Sequence, residues 1–302
     1  MDEKQSTNLQ RFGRIVVIPG RNGSRYPFCN SLFIDDERKA IIDPGSDEAF
    51  LSDLASTRRI DVLINSHYHE DHIAFNDLFD HAALWVHEAE APCHRSYETF
   101  LDYYGLKGNP DMKNWHDLLV GQYRYRERSP ALEFKDGDIL DFGRTRAQVI
   151  HTPGHTIGHC SLYFPDDGIL FLADLDLAPF GPWYGDRVSD IDQTIDSMHR
   201  ILKIPADTYI TSHELGILRG DITDLAYRYL DVIDTREARL LKLLEQPRTL
   251  KQIVHSWIIY GKRREPLFFF ELGEEGMMIK HLERLIKNGR VRKTGEQYSL
   301  SR

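Results

Sequence analysis

Hydrophobic and polar positions change over in short segments along the first two thirds of the chain. Arg14 to Pro19 holds a brief apolar run. Asn30 to Asp35 and Lys39 to Asp43 flank a polar turn, Asp36-Glu37-Arg38, and predict a hairpin. Asp43-Pro44-Gly45 ends it with strong turn formers. Ile60 to Asn65 predicts another strand, which runs directly into Ser66 to His72. Asp71 to Phe79 carries Ile73, Phe75, Leu78 and Phe79 at helical spacing, and Ala83 to Val86 reads as a strand.

The texture changes between residues 88 and 129, where Tyr97, Phe100, Tyr103, Tyr104, Trp115, Tyr123 and Tyr125 fall among helical-looking pieces broken by Gly105, Gly108 and Pro110. This predicts an inserted helical lobe whose aromatics mainly pack against the sheet. Strands resume at Ile139 to Phe142, Thr145 to Ile150, Cys160 to Phe164 and Ile169 to Leu172, the last two joined by the turn Asp166-Asp167-Gly168. Asp190 to Leu202 predicts an amphipathic helix, and Thr208 to Thr211 a final strand. Beyond Gly220 the period is helical over Thr223 to Glu245, from a Thr249 cap to about Tyr260, and over Glu274 to Lys287. Val291 to Lys293 and Gln297 to Leu300 then form a small hairpin around Gly295. Three helices followed by a hairpin is the order of a winged helix.

Composition narrows the class. At 302 residues the chain is long enough for about two domains, read as 1–220 and 221–302. Hydrophobic residues at 41% and charged residues at 28% describe an ordinary globular protein. No apolar run approaches the roughly 20 residues that span a bilayer, and the polar start MDEKQSTNLQ shows no secretory signal. Three widely spaced cysteines give no disulfide framework and point to a reducing cytoplasm. The net charge of −9 argues against a nucleic-acid surface over the whole chain.

The less ordinary figure is 14 histidines. Ser66-His67-Tyr68-His69-Glu70-Asp71-His72 places three of them and an aspartate within six positions. In an extended stretch His67 and His69 point the same way, and imidazole with carboxylate suits zinc, iron or manganese. More ligand-type residues stand where later strands leave the sheet, as expected of binding loops on a rigid scaffold. They are His155 in the turn Thr152-Pro153-Gly154-His155-Thr156, Asp174 after Ile169 to Ala173, and His213.

Together, the HxHxDH segment, the TPGHT turn, an aspartate after an apolar strand and a final histidine resemble the metallo-β-lactamase-fold hydrolase superfamily over roughly residues 12–215. The resemblance implies an α+β fold, an αββα sandwich with a dinuclear metal site at one edge. It implies that His67, His69 and His155 hold the first metal, that Asp71, His72 and His213 hold the second, and that Asp174 bridges them. Asp43 matches the family's Asp-x-Gly turn and would support the site. An aspartate, with no cysteine nearby, suggests the glyoxalase II, lactonase and phosphodiesterase side. Ala74, Ala173 and Ser212-His213-Glu214 depart from the family's usual glycines. Asp176, two residues past Asp174, competes for the bridging role, and the strand-end position favours Asp174.

Two divalent cations, zinc first with iron or manganese as alternatives, would generate a hydroxide nucleophile and polarise the scissile group. Asp71 would orient that hydroxide. His151 and His159 are read as supporting or packing residues. Tyr68, Trp183 and Tyr184 are expected to shape the pocket, and an aromatic wall favours a small acyl, lactone or thioester substrate. The tail resembles the winged-helix-like region of thioesterase and endoribonuclease relatives in this superfamily. Ile279 to Arg302 carries seven Lys or Arg against two Glu. Nucleic-acid contact is one reading of that charge; a solvated face on a packing or homodimerising domain is the preferred one. The leading expectation is thus a dinuclear hydrolase of carboxyl esters or thioesters without a membrane association. A metal-dependent phosphodiesterase or ribonuclease, and a non-catalytic metal sensor or scaffold, are the alternatives.

Overall fold

A computed structural model describes residues 9–301. Most of the polar amino-terminal stretch, residues 1–8, lies outside the described residues.

Short runs of β-branched and other apolar residues make two facing sheets. The first contains β1 (Gln10–Phe12), β2 (Ile15–Ile18), β3 (Ser31–Ile34), β4 (Ala40–Ile42), β5 (Val62–Asn65), β6 (Ala83–His87) and β7 (Leu132–Phe134), in that spatial order. Strands β1 to β4 are antiparallel, and β4 to β7 are parallel. The second contains β8 (Ile139–Asp141), β9 (Arg146–His151), β10 (Cys160–Phe164), β11 (Ile169–Ala173), β12 (Thr208–Thr211) and β13 (Ile217–Arg219). A core between the sheets joins Ile15, Leu32, Ile42 and Ile64 of one to Val149, Leu162, Phe171 and Ile210 of the other. Each such side chain removed from water contributes about 1.5–3 kcal/mol.

Helices cover both outer faces. On the first side, a short turn α1 (Arg21–Ser24) precedes α2 (Glu48–Thr57), whose Leu51 and Leu54 pack on Ile18, Ile41 and Leu63. Asp47 caps α2 by accepting from Phe50 N. The helix expected over 71–79 is two separate turns, α3 (Glu70–Ile73) and a 3₁₀ turn at Asn76–Phe79. Phe75 N donates to Pro44 O at 3.1 Å instead of continuing the helix. The lobe consists of α4 (Ala91–Arg95), α5 (Tyr97–Tyr104), α6 (Met112–His116) and a wide turn at Asp117–Gln122. On the second side lie α7 (Ile191–Ile201), capped by Asp190, and the start of α8 (Thr223–Leu243).

The remaining chain comprises β14 (Arg248–Thr249), α9 (Leu250–Val254), α10 (Leu267–Lys287), β15 (Val291–Thr294) and β16 (Gln297–Leu300), with the strands ordered β14-β16-β15. Helix α9 stops well before the expected Tyr260. Trp257 adopts a φ of 51°, and the buried Glu274 carboxylate accepts from Ile259 N and Tyr260 N at 3.0 and 3.1 Å. Helix α10 begins at Leu267, not Glu274. The unbroken run Leu267-Phe268-Phe269-Phe270 carries no 3.6-residue alternation, yet Phe268, Phe269 and Leu272 pack against Trp115 and its neighbours in the lobe. No helix among the described residues is long and apolar enough to cross a membrane.

Candidate metal centre

The ligand-type residues collect at one edge of the sandwich because four strands end there. Strand β5 delivers Ser66 and His67; the chain then bends so that His69 precedes α3, which carries Asp71 and His72. The turn after β9 carries His155, β11 ends at Asp174, and β12 leads to His213. The Asp43-Pro44-Gly45 turn braces the first group. Asp43 accepts from Ser66 N at 2.7 Å and Ser66 Oγ at 2.6 Å. A Cβ on Gly45 would lie 1.7 Å from Asp71 O, so only glycine allows this approach. A register shift between Phe171 and Ala173 redirects the chain at Asp174.

Each imidazole has one nitrogen engaged and the other turned to the centre. His69 Nε2 faces Asp186 Oδ2 at 2.9 Å, and His155 Nδ1 faces Trp183 O at 2.9 Å. His72 Nδ1 faces Asp43 Oδ2 at 3.0 Å. His213 Nδ1 is 3.0 Å from both Ser24 O and Phe28 O, and His67 Nδ1 is 3.0 Å from Ser66 Oγ. The opposite nitrogens converge. His155 Nε2 lies 2.8 Å from His69 Nδ1 and 3.3 Å from His67 Nε2. Asp174 lies between the two halves: Oδ2 is 3.3 Å from His155 Nε2, and Oδ1 is 2.9 Å from His72 Nε2 and 3.6 Å from His213 Nε2. Asp71 Oδ2 is 3.3 Å from His213 Nε2. Asp176 accepts from His213 N at 2.9 Å and forms, with Asp174 and His213, a third group of close donor atoms.

This donor set fits divalent cations. His67, His69, His155 and Asp174 form one group of mutually close donor atoms, and Asp71, His72 and His213 form another. Asp71 Oδ2, His72 Nε2 and Asp174 Oδ1 are buried and, although the last two approach each other to 2.9 Å, none makes a well-aligned hydrogen bond. Buried polar atoms left so cost about 1–3 kcal/mol each, and nitrogen and oxygen donors at this spacing are what a transition-metal ion accepts.

The electrostatics of the cluster's own side chains are those of interleaved acids and bases. Burial opposes charge on every group. It dominates at His67, whose pKa is held well below the ordinary value. At His69 the Asp186 carboxylate outweighs burial and raises the pKa to about 9. At His213, Asp174 and Asp176 outweigh it and raise the pKa to about 10. Asp174 is held well below the carboxylate range, against burial, by His72, His213 and His67.

Two residues that the sequence pattern does not single out complete the framework. Asp186, fully buried in the loop before α7, accepts from Tyr68 OH and engages His69. Glu90, at the start of the lobe, accepts from Tyr68 N at 2.9 Å, Thr156 Oγ1 at 2.8 Å and Gly158 N at 2.6 Å. It thereby ties the His67–His69 segment to the His155 turn. Burial pushes its carboxyl up to about 7, despite those hydrogen bonds. Neither residue belongs to a local motif; only their partners, remote in sequence, reveal them. His159 lies beneath the cluster, where its Nε2 accepts from Asp174 N at 3.1 Å.

A cavity of about 550 Å³ opens beside the cluster. Its walls include Tyr26 and Trp115, Phe180 and Trp183, and, from the carboxy-terminal region, Tyr260, Phe269 and Phe270. Exposed Arg25 and Arg264 stand among its lining residues. Of the three residues expected at the pocket, Trp183 lines it. Tyr68 and Tyr184 do not: both are fully buried, Tyr68 turned to Asp186 and Tyr184 bonded to His281 Nε2 at 2.8 Å.

Residues 25–213 match the family model described as the metallo-beta-lactamase superfamily. The chain belongs to that superfamily, and it is a metal-dependent hydrolase of that class. It is 27% identical over 237 residues to a hydroxyacylglutathione hydrolase of Synechococcus sp. (strain JA-2-3B'a(2-13)), covering 74% of this chain and 80% of that one. It is 30% identical over 124 residues to the human acyl-coenzyme A thioesterase MBLAC2, covering 40% and 43%. The fold matches a metallo-beta-lactamase family protein from Thermus thermophilus with a TM-score of 0.73 at 22% identity, over 95% of this chain and 98% of that one. A beta-lactamase domain protein from Burkholderia ambifaria matches with a TM-score of 0.70 at 18% identity, over 99% and 95%.

Proposed function

We propose that the protein hydrolyses thioesters, or related carboxyl esters, that carry an apolar acyl group. The aromatic cavity opening directly onto the histidine–aspartate cluster carries this reading. In it, His67, His69 and His155 would hold one divalent cation and Asp71, His72 and His213 a second, with Asp174 available to both groups. The pair, with zinc as the first candidate, would lower the pKa of water and polarise an acyl oxygen. Asp71 Oδ2, buried and without a partner, is placed to accept a proton from the attacking water. Trp183, Tyr260, Phe269 and Phe270 exclude solvent from the acyl side. Arg25 and Arg264 offer cations to an anionic thiol group. The low identities to hydroxyacylglutathione hydrolases and to an acyl-coenzyme A thioesterase support a thioester over a phosphodiester.

Carboxy-terminal residues in the cavity wall give residues 221–302 a place in the same site as residues 1–220. We therefore read the basic tail as part of a packed unit and not as a nucleic-acid arm. A panel of an acyl thioester, a lactone and bis-p-nitrophenyl phosphate, assayed with the metal-loaded protein, tests this. Turnover of the thioester fastest by kcat/KM is expected; turnover of the phosphodiester alone would replace the reading with that of a phosphodiesterase.

A further inference from the structure

We propose that the carboxy-terminal helices set the metal affinity of one half of the cluster only, the His67–His69–His155 half, by gripping residues 180–187. The proposal rests on the ligand assignment above.

That segment supplies the outer contacts of two of those three histidines. Trp183 gives its carbonyl to His155 Nδ1, and Asp186 gives its carboxylate to His69 Nε2. A metal-binding histidine owes its tautomer and ring orientation to such a partner. The segment has no regular secondary structure, so something else must hold it. Helix α8 holds one end: Arg236, buried, donates to Phe180 O at 2.7 Å, Pro182 O at 2.8 Å and Tyr184 OH at 3.0 Å. Helix α10 holds the other: Lys280 Nζ donates to Arg187 O at 2.7 Å, and His281 bonds Tyr184 OH.

Between those anchors the two backbones touch. A Cβ on Gly276 of α10 would lie 2.0 Å from Gly185 O and 2.9 Å from Gly185 C. Glycine is a poor residue for the middle of a 21-residue helix, and this close approach is what it permits. Gly185 immediately precedes Asp186. The lobe also holds Arg187: its N donates to Tyr103 O at 2.9 Å, its Nε to Asp102 O at 2.9 Å and its guanidinium to Asp102 Oδ2 at 2.6 Å.

The side chains of the other half take no orienting partner from residues 180–187. His72 is oriented by Asp43, and His213 by Ser24 O and Phe28 O. Asp71 packs on Gly45. All of these partners lie in the first 45 residues.

The two halves therefore respond differently to a change in α10. In Gly276→Ala, alanine favours the helix, so Gly185, and with it Asp186 and Trp183, must move. The test titrates chelator-stripped full-length protein with Co²⁺, following heat and visible absorption, and checks folding by circular dichroism. His69→Ala and His213→Ala assign the binding events, each abolishing one. Gly276→Ala is expected to weaken the event that His69→Ala abolishes by about tenfold or more, and to leave the other within about twofold. Lys280→Met, which keeps the aliphatic stem, gives the same pattern more weakly and serves if Gly276→Ala does not fold. Equal weakening of both events, loss confined to the His213 event, or wild-type affinity at both would overturn the proposal. A wild-type chain that takes up no Co²⁺ would instead overturn the ligand assignment, and the proposal with it.

Discussion

Asp186 Oδ2 lies 2.9 Å from His69 Nε2, across 117 residues of chain, with the Tyr68 hydroxyl on the same carboxylate oxygen. The contact leaves only Nδ1 of His69 to face the cluster. Asp186→Asn removes the charge that fixes this tautomer while keeping the shape of the side chain. Co²⁺ affinity should fall 10- to 100-fold, with far-ultraviolet circular dichroism unchanged. Affinity equal to that of the wild type would remove Asp186 from this role.

Phe269 stacks on Tyr26 with ring centroids 5.3 Å apart and meets Trp115 at 5.7 Å, so it shapes the cavity wall from the carboxy-terminal side. Each methylene that a substrate buries there is worth about 0.8 kcal/mol. The ratio kcat/KM should therefore rise along a series of acyl thioesters from acetyl to octanoyl. Phe269→Ala should flatten that rise, costing the octanoyl ester on the order of 1 kcal/mol, or about fivefold, and the acetyl ester little. An equal loss for both would place Phe269 outside the acyl wall.

How far the chain could be read in advance follows from the range of each interaction. His67, His69, Asp71 and His72 stand close in sequence, and strand ends flag His155, Asp174 and His213. Most strands of the sheets were legible for the same reason, since short apolar runs and turn formers are local; the edge strands β1, β7 and β13, with little apolar sequence of their own, were not. Asp186 and Glu90 were not, because each acts on partners that only the fold brings near. Tyr68 and Tyr184 mislead for the opposite reason. Adjacency to a ligand segment says little about which way a side chain turns, and alternate residues of an extended segment face apart. The start of α10 was hidden because Phe268 and Phe269 bury against the lobe, not along the helix's own polar–apolar boundary.

Asp36 joins the two sheets. Its carboxylate accepts from Glu37 N at 2.8 Å, Arg144 N at 3.0 Å and Thr145 N at 2.6 Å, with Arg14 Nε at 3.4 Å. Burial alone would raise its pKa; the hydrogen bonds from Thr145 and Glu37 and the Arg14 charge outweigh it, and the pKa is lowered from the usual 3.8. A folded-state pKa below the unfolded value stabilises the fold at pH above about 4. That contribution disappears as pH falls through the folded-state pKa. Asp36→Asn should cost about 1–3 kcal/mol at pH 7. The gap in denaturation midpoint between wild type and variant should narrow below pH 4. A gap independent of pH would show that Asp36 acts by packing alone.

Ala173 and Glu214 both adopt left-handed backbone, with φ of 50° and 49°. A side chain there costs about 1–2 kcal/mol. Glycine relieves that strain but gives back roughly 0.5–1 kcal/mol in chain entropy. At Ala173 it also removes a methyl from the core between the sheets, worth about 0.8 kcal/mol, so Ala173→Gly should leave stability nearly unchanged. Glu214 is exposed and has no methyl to lose from a core. Glu214→Gly should therefore stabilise the metal-free protein by about 0.5–1 kcal/mol, read as a higher midpoint in urea with an unchanged slope. If both substitutions destabilise the protein, Glu214 must make a contribution through its side chain that exceeds the strain of its backbone.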